Sequence, residues 1–522
     1  AGYVTGQMSM VEAETNEASQ YQDAGQSAQA AVAWMKVGQL EDYVAKNYDK
    51  GDTSQEVSDL STAAQDFQNA AQQSSGESAA NAYMSEGKAL MSLGNLDVNT
   101  GNAGTGTVIF NEAAGAFQQA VQSYGGDQAN MGKAQLAEAQ AYDGAGNWSA
   151  ANSQYDFAED NLQSAGLNKL AGEAFLGEAQ DDIKMGATWQ EAVNFQNAGQ
   201  QFDAAHDYSD AAQAYENSAQ WYAKGQNNNW QANEISTLEA AGADYNNMAA
   251  TASGAAQVND YQNAAVTYDQ AGHLDQSTNQ MSDFSNAAEA YQNEAQILAK
   301  EGHSYQAGNA YQNESTEWGQ AAGAANNHGD DPSSYSGAQS SAALSAAEEY
   351  LTHDKSTGNW ADAGKQENII AQSQGDQLEQ AQDYAQAANY FAQANDKTDE
   401  IAALQNAGND YQSAADSEVG VNGQKAVADW QQALGVFQQE VRLDESLGTK
   451  SGDKAAGNVL MNNEAQILET WDPNWNTQNG NPNIEGQLEQ VMNRAVQDYT
   501  KAGDTADAQN AESEESEIGG GN

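Results

Sequence analysis

Asn259-Asp-Tyr261-Gln-Asn-Ala264-Ala265-Val-Thr-Tyr268-Asp-Gln-Ala271-Gly272-His273 is the stretch that decides the fold. Tyr261, Ala264, Ala265, Tyr268 and Ala271 fall at i, i+3, i+4, i+7 and i+10, one stripe on one side of an α-helix. Gly272 stands where a C-cap glycine would end that helix. Phe284, Ala287, Ala288, Tyr291 and Ala295 then rebuild the stripe, and a second Gly-His pair, Gly302-His303, closes it. A helix followed by its near copy predicts a helical repeat.

The same punctuation continues outward. Gly125, Gly146, Gly166, Gly186 and Gly225 mark further helix ends, and an aromatic usually opens the next helix: Trp148, Trp189, Tyr208, Tyr261, Phe284, Tyr305. Two helices of about 20 residues make a hairpin of roughly 40, within the range of helical-repeat units. Ala-Tyr-Gln-Asn-Glu at 290–294 returns at 310–314, and aromatic-Gln-Asn-Ala starts at Phe67, Phe195 and Tyr261. The expected fold is all-α, an α-solenoid of stacked antiparallel hairpins. Alanines let backbones approach while rings fill the gaps. The expected packing residues are Phe67, Trp148, Tyr155, Trp189, Phe195, Tyr208, Tyr215, Tyr261, Tyr268, Phe284, Tyr291, Tyr305, Tyr311, Trp360, Tyr384 and Phe391.

Composition places the boundaries. A first array is expected over 1–325, with a Gly-, Asn- and Thr-rich loop at 96–107. Residues 326–337, dense in turn formers around Pro332, read as a linker. A second array spans 338–470, and its larger aliphatics after Gly420 suggest a better-buried cap. Residues 471–483, with Pro473 and Pro482, read as a loop, and 484–522 as a last helix with an acidic, glycine-rich tail.

The net charge of −57 rests on 75 acidic against 18 basic residues. Disorder is one way to carry such charge, but rings and alanines at helical spacing argue for a folded chain. In molar salt the screening length shrinks to about 3 Å, so the surplus predicts a halophilic protein that requires high salt. No cysteine is present, which excludes disulfides and thiolate sites. No apolar run is long enough to span a bilayer. Ala1-Gly-Tyr-Val shows no leader pattern, and export stays open.

Gly146-Asn-Trp148-Ser-Ala-Ala151 and Ser304-Tyr305-Gln-Ala-Gly-Asn-Ala-Tyr311 resemble the repeat helices of tetratricopeptide-like proteins, especially the attachment-protein (SNAP) branch, over 50–416. The resemblance implies paired helices and protein partners. The proline that closes the strict tetratricopeptide signature is missing, and no functional residue carries over.

Catalytic and metal motifs are not evident. His206, His273, His303, His328 and His353 stand singly, mostly near helix ends, where they suit the dipole. Asp472-Pro-Asn474-Trp-Asn476-Thr-Gln478 has calcium-loop spacing, but Thr477 and Asn483 replace the glycine and glutamate that such a loop needs, so a proline-bearing turn is expected. Pairs such as Asp181-Asp182 and Glu348-Glu349 read as a solvated face. Asn147 and Asn313 head glycosylation sequons. With arginine only at 442 and 494, nucleic acid is a poor partner. No cofactor, metal or enzymatic role is expected. The expected function is a structural subunit of a halophilic surface assembly, a virion spike, capsid component or extracellular filament, with itself or other subunits as partners. The alternative is an intracellular tetratricopeptide-like adaptor that holds a partner peptide or helix through aromatic and amide groups.

Overall fold

The computed structural model describes residues 2–47, 52–186, 189–225, 228–475 and 484–519, and among these every regular element is helical. The chain divides into two compact units, Ala1–Asp283 and Phe284–Asn522. The first holds α1 (Gly2–Asp23), α2 (Ser27–Asn47), α3 (Thr53–Gln72), α4 (Glu77–Asn99), α5 (Ala103–Tyr124) and α6 (Gln128–Gly144). It continues with α7 (Trp148–Ser164), α8 (Asn168–Met185), α9 (Gln190–Ala204), α10 (Tyr208–Tyr222), α11 (Asn228–Thr251) and α12 (Ala255–Leu274). Helix α13 (Gln280–Lys300) carries the division between the units.

The second unit continues with α14 (Ser304–His328), α15 (Ser333–Thr357), α16 (Trp360–Ser373), α17 (Gln377–Ala394), α18 (Lys397–Glu418) and α19 (Gly423–Ser446). A helical run follows, α20 (Lys450–Val459), a π-turn at Leu460–Glu464 and α21 (Ala465–Trp475); α22 (Ile484–Ala502) and α23 (Thr505–Gly519) end it. Within each unit short connections make successive helices antiparallel, and helix packs on next helix from α1 to α12 and from α14 to α19. This is an α-solenoid of stacked hairpins.

Local chemistry sets the ends. Asp52, Asp127, Asp376 and Asp396 accept a backbone N–H of the first turn of α3, α6, α17 and α18, a cap that contributes about 1 kcal/mol. Gly125 and Gly186 close α5 and α8 in the left-handed region, with φ of 60° and 75°. Gly272, expected as a cap, instead lies buried inside α12, which runs on to Leu274.

Most helices bury an alanine-rich stripe, and rings settle onto glycines inside neighbouring helices. A Cβ built on Gly38, Gly87, Gly172 or Gly408 would fall within 2.8 Å of the ring of Phe67, Phe117, Phe202 or Phe437. The helical glycine, invisible as core in a sequence reading, is the socket, and it lets the axes approach more closely than alanine allows.

Two expected breaks are largely helical, and a third is helical in its described part. Stretch 96–107 is irregular only between Asn99 and Ala103, because Gly106 packs against the Gly94 carbonyl and Val98 and so extends α5. The 326–337 linker shrinks to four residues, because Pro332 sits at the N-cap of α15, where a missing N–H costs nothing. The division between units falls at Asp283–Phe284 instead. In the expected loop 471–483 the backbone stays helical through Trp475, so Asp472 and Pro473 belong to α21, while 476–483 lie outside the described residues. The last helix is two, broken at Gly503 (φ 82°) with Asp504 bonding the Asp507 N–H; 520–522 lie outside the described residues. Helix α19 is the buried element that the aliphatics after Gly420 predicted: Trp430, Phe437 and Val441 are fully enclosed.

Candidate functional site

The expected packing residues separate into two groups. Phe67, Tyr155, Phe195, Tyr215, Tyr268, Phe284, Tyr291, Tyr384 and Phe391 are buried in the seams. Trp148, Trp189 and Tyr305, which open helices, are instead 39%, 52% and 51% exposed, and Tyr208, Tyr261, Tyr311 and Trp360 are half-buried. A residue in a first turn overhangs the hairpin tip, where no third helix covers it. There the rings pair locally: Tyr305 lies 5.9 Å from Tyr350 and 5.1 Å from His353, and Trp360 stacks 6.0 Å from Tyr390. Tyr261 and Phe284 lie inside α12 and α13 rather than at their starts. Asn147, the N-cap of α7, and Asn313, inside α14, are both exposed.

Sequence reading missed the buried carboxylates. Glu86, Glu138, Glu159, Glu294 and Glu367 are buried among the stripe residues of their helices. Asp181 and Asp182, expected on a solvated face, are buried too: Asn152 and Asn194 donate to Asp182 at 3.1 and 3.0 Å, and Lys184 to Asp181 at 3.0 Å. The sequence does hold a signal. Glu138 sits four residues after Ala134 and three before Ala141, on the apolar stripe itself, as Glu367 does between Ala363 and Ile370. Burial raises Asp66, Glu86, Glu138, Glu294 and Glu367 to about 7. Glu159 and Glu178 face each other across α7 and α8, and desolvation followed by their mutual hydrogen bond drives Glu159 upward. Burial thus favours the protonated form of these carboxyls over what an exposed side chain would show.

A broad concave surface lies in the first unit. Helices α2 and α4 wall a groove of about 1000 Å³ over the end of α3. Ala31, Val32 and Met35 form an apolar strip on its α2 side, facing Gln72, Gln73 and Asn81. Tyr124 fixes Asn81 by donating to its Oδ1 at 2.9 Å, and Lys36 is paired with Glu14. A second groove of about 570 Å³ lies over α4 between α3 and α5, lined by Gln65, Gln68, Gln119, Tyr83 and Glu86. Gln72 borders both grooves. Glutamine and asparagine amides both donate and accept, which matches the alternating N–H and C=O of an extended chain. The groove has no titratable cluster, and among the described residues no group of three or more His, Asp and Glu has metal-holding geometry. Helix-terminal His273 bonds Asp269, and His206 lies 3.0 Å from the Tyr208 hydroxyl.

No family model and no curated protein matches the chain. Among solved structures it is similar to BtubC from P. vanneervenii, at 15% identity and TM-score 0.30 over 48% of this chain and 92% of that one. It is also similar to yeast Tom70, at 12% identity and TM-score 0.17 over 84% of this chain and 98% of that one. A signal-transduction ATPase with a tetratricopeptide repeat sensor from Pyrococcus horikoshii aligns at 16% identity and TM-score 0.24 over 52% of this chain and 45% of that one. Likenesses this distant say nothing about activity.

Proposed function

We propose that the chain is a non-catalytic helical-repeat scaffold that holds an extended protein segment in the amide-lined groove between α2 and α4. The observation that carries this reading is the apolar strip of Ala31, Val32 and Met35 facing Gln72, Gln73 and Asn81. It offers side-chain pockets along one wall and main-chain hydrogen bonds along the other. A displayed peptide library selected on the full chain tests it. Selected peptides are expected to lose tenfold or more in affinity when Ala28→Trp and Ser78→Trp fill the groove from two exposed positions. Peptides that bind the filled variant as tightly as the parent, or a library that yields no binder, overturn the assignment.

The finer reading, a subunit of a surface assembly working in high salt, is supported by the surplus of 75 acidic over 18 basic residues. Its expected signature is a loss of helicity when salt is diluted below about 0.5 M, as self-repulsion reaches further. A circular-dichroism spectrum unchanged on dialysis into low salt, or native protein found only in the cytosol, contradicts it.

A further inference from the structure

The C-terminal unit contains a small pocket bordered by residues of its core and separate from the grooves of the first unit. It has a volume of about 230 Å³ and lies between α19, the π-turn and α22. Leu434, Leu460, Leu468 and Val491 supply its hydrocarbon wall. Its polar lining is Glu464, the last residue of the π-turn, with Gln438, Gln487, Gln490 and Arg494. A π-turn is rare and is found frequently at functional sites. Here it sets a carboxyl only 2% exposed against the pocket, and Oε1 of that carboxyl has no hydrogen-bond partner.

The surroundings select the ligand. Across from Glu464 on α19 lies Glu440, also buried with one oxygen unpartnered. Asp444, Glu445 and Asp498 add carboxylates, while the cations are Arg442, Arg494 and Lys501. Arg494 is already committed, its Nε and Nη2 donating to Glu445 at 3.0 and 2.9 Å. Lys501 donates to Asp498 at 2.7 Å. An anion would find no uncommitted cation in the lining, where Arg494 is already held by Glu445. A bare divalent ion requires six or more oxygens, whereas the lining offers one carboxylate and three glutamine amides, beside the guanidinium of Arg494 and four aliphatic side chains. A compact cationic donor with a hydrocarbon body meets both halves of the pocket.

We propose that this pocket binds a short aliphatic primary amine, its ammonium bonded to Glu464 and its chain packed on Leu434, Leu460, Leu468 and Val491. Burial lifts Glu464 to about 7, so near neutrality its carboxyl holds a proton in part of the molecules. The arriving ammonium keeps its own protons, and the carboxyl proton leaves for solvent, so binding releases up to one proton. This site is independent of the α2–α4 groove.

Calorimetric titration of the full chain with 3-methylbutylammonium chloride, at constant ionic strength and pH about 7, tests the proposal. The expected result is saturable single-site binding whose heat depends on the ionisation enthalpy of the buffer. Glu464→Gln should weaken it by tenfold or more, as for a lost charge-assisted hydrogen bond. The neutral 3-methylbutanol should bind at least tenfold more weakly than the amine. If Glu464→Gln loses helicity, Val491→Trp, which fills the pocket from a half-buried position, decides instead and should abolish binding. No saturable binding, binding unchanged in the variants, or equal affinity for the alcohol each overturns the site and leaves at most ion pairing with the acidic surface.

Discussion

The thermal midpoint is expected to rise by about 5–10 °C as the pH is lowered from about 8.5 to 5.5, the reverse of ordinary acid destabilisation. The cause is the row of carboxyls in the seams. Asp66, Glu86, Glu138, Glu294 and Glu367 titrate in the folded chain at about 7, and Glu440 at about 8, against ordinary values of 3.8 for Asp and 4.5 for Glu. Between those limits the folded state binds more protons than the unfolded one. Unfolding free energy therefore falls as pH rises through this window and stops improving below the unfolded values. Every tenfold difference in acidity between the folded and unfolded chain corresponds to about 1.4 kcal/mol before solvent screening, and coupling along the seams reduces the sum. Opposing groups are fewer and more exposed: Glu445, held low by Arg494, and Asp207, held low by Lys169, lose their contribution only at more acidic pH. A midpoint that is flat or rises from pH 5.5 to 8.5, measured by circular dichroism at fixed salt, removes the buried carboxyls as the explanation. Glu138→Gln should flatten part of the slope while leaving the midpoint at low pH nearly unchanged, because the amide copies the neutral acid.

Much of this architecture is legible in the residues, for a physical reason. A hairpin that buries its stripe only against neighbours must repeat alanines and rings at helical spacing, so Tyr268 and Tyr291 announce both their own burial and the repeat. The acids are harder to read because a chain with 75 of them puts most in water; only position relative to the stripe distinguishes Glu138 from its solvated neighbours. Turn composition misleads in a related way. Gly106 and Gly272 look like punctuation, yet each is buried inside a helix, and at Gly106 glycine's cost in a helix is offset by the close packing it permits. The groove was legible only as chemistry, since abundant Asn and Gln with few basic residues imply amide recognition without showing where. The pocket beside the π-turn left no signal, because Glu464 acquires its meaning from α19 and α22, which are remote in sequence.

Gly408→Ala destabilises the second unit by about 1–3 kcal/mol, as overpacking of a well-packed core does, although glycine-to-alanine in a helix ordinarily stabilises by up to about 1 kcal/mol. The new Cβ would lie 2.5 Å from the ring of Phe437, which is itself fully enclosed on α19 and has nowhere to turn. Gly323 and Gly435 supply the contrast, since both lie inside helices with nothing within 4 Å of a built Cβ, so alanine there should raise the midpoint. The first unit repeats the test with Gly87 and Phe117, also at 2.5 Å. A double-mutant cycle isolates the contact: with Phe437→Leu in place, Gly408→Ala should cost clearly less than alone, a coupling of about 1 kcal/mol. Equal effects at Gly408 and Gly323 in denaturant melts would mean that rings and glycines merely coincide. A large positive coupling confined to the ring-facing glycines would instead identify the ring-to-backbone contact as what sets the separation of the helices, and with it the width of every groove between them.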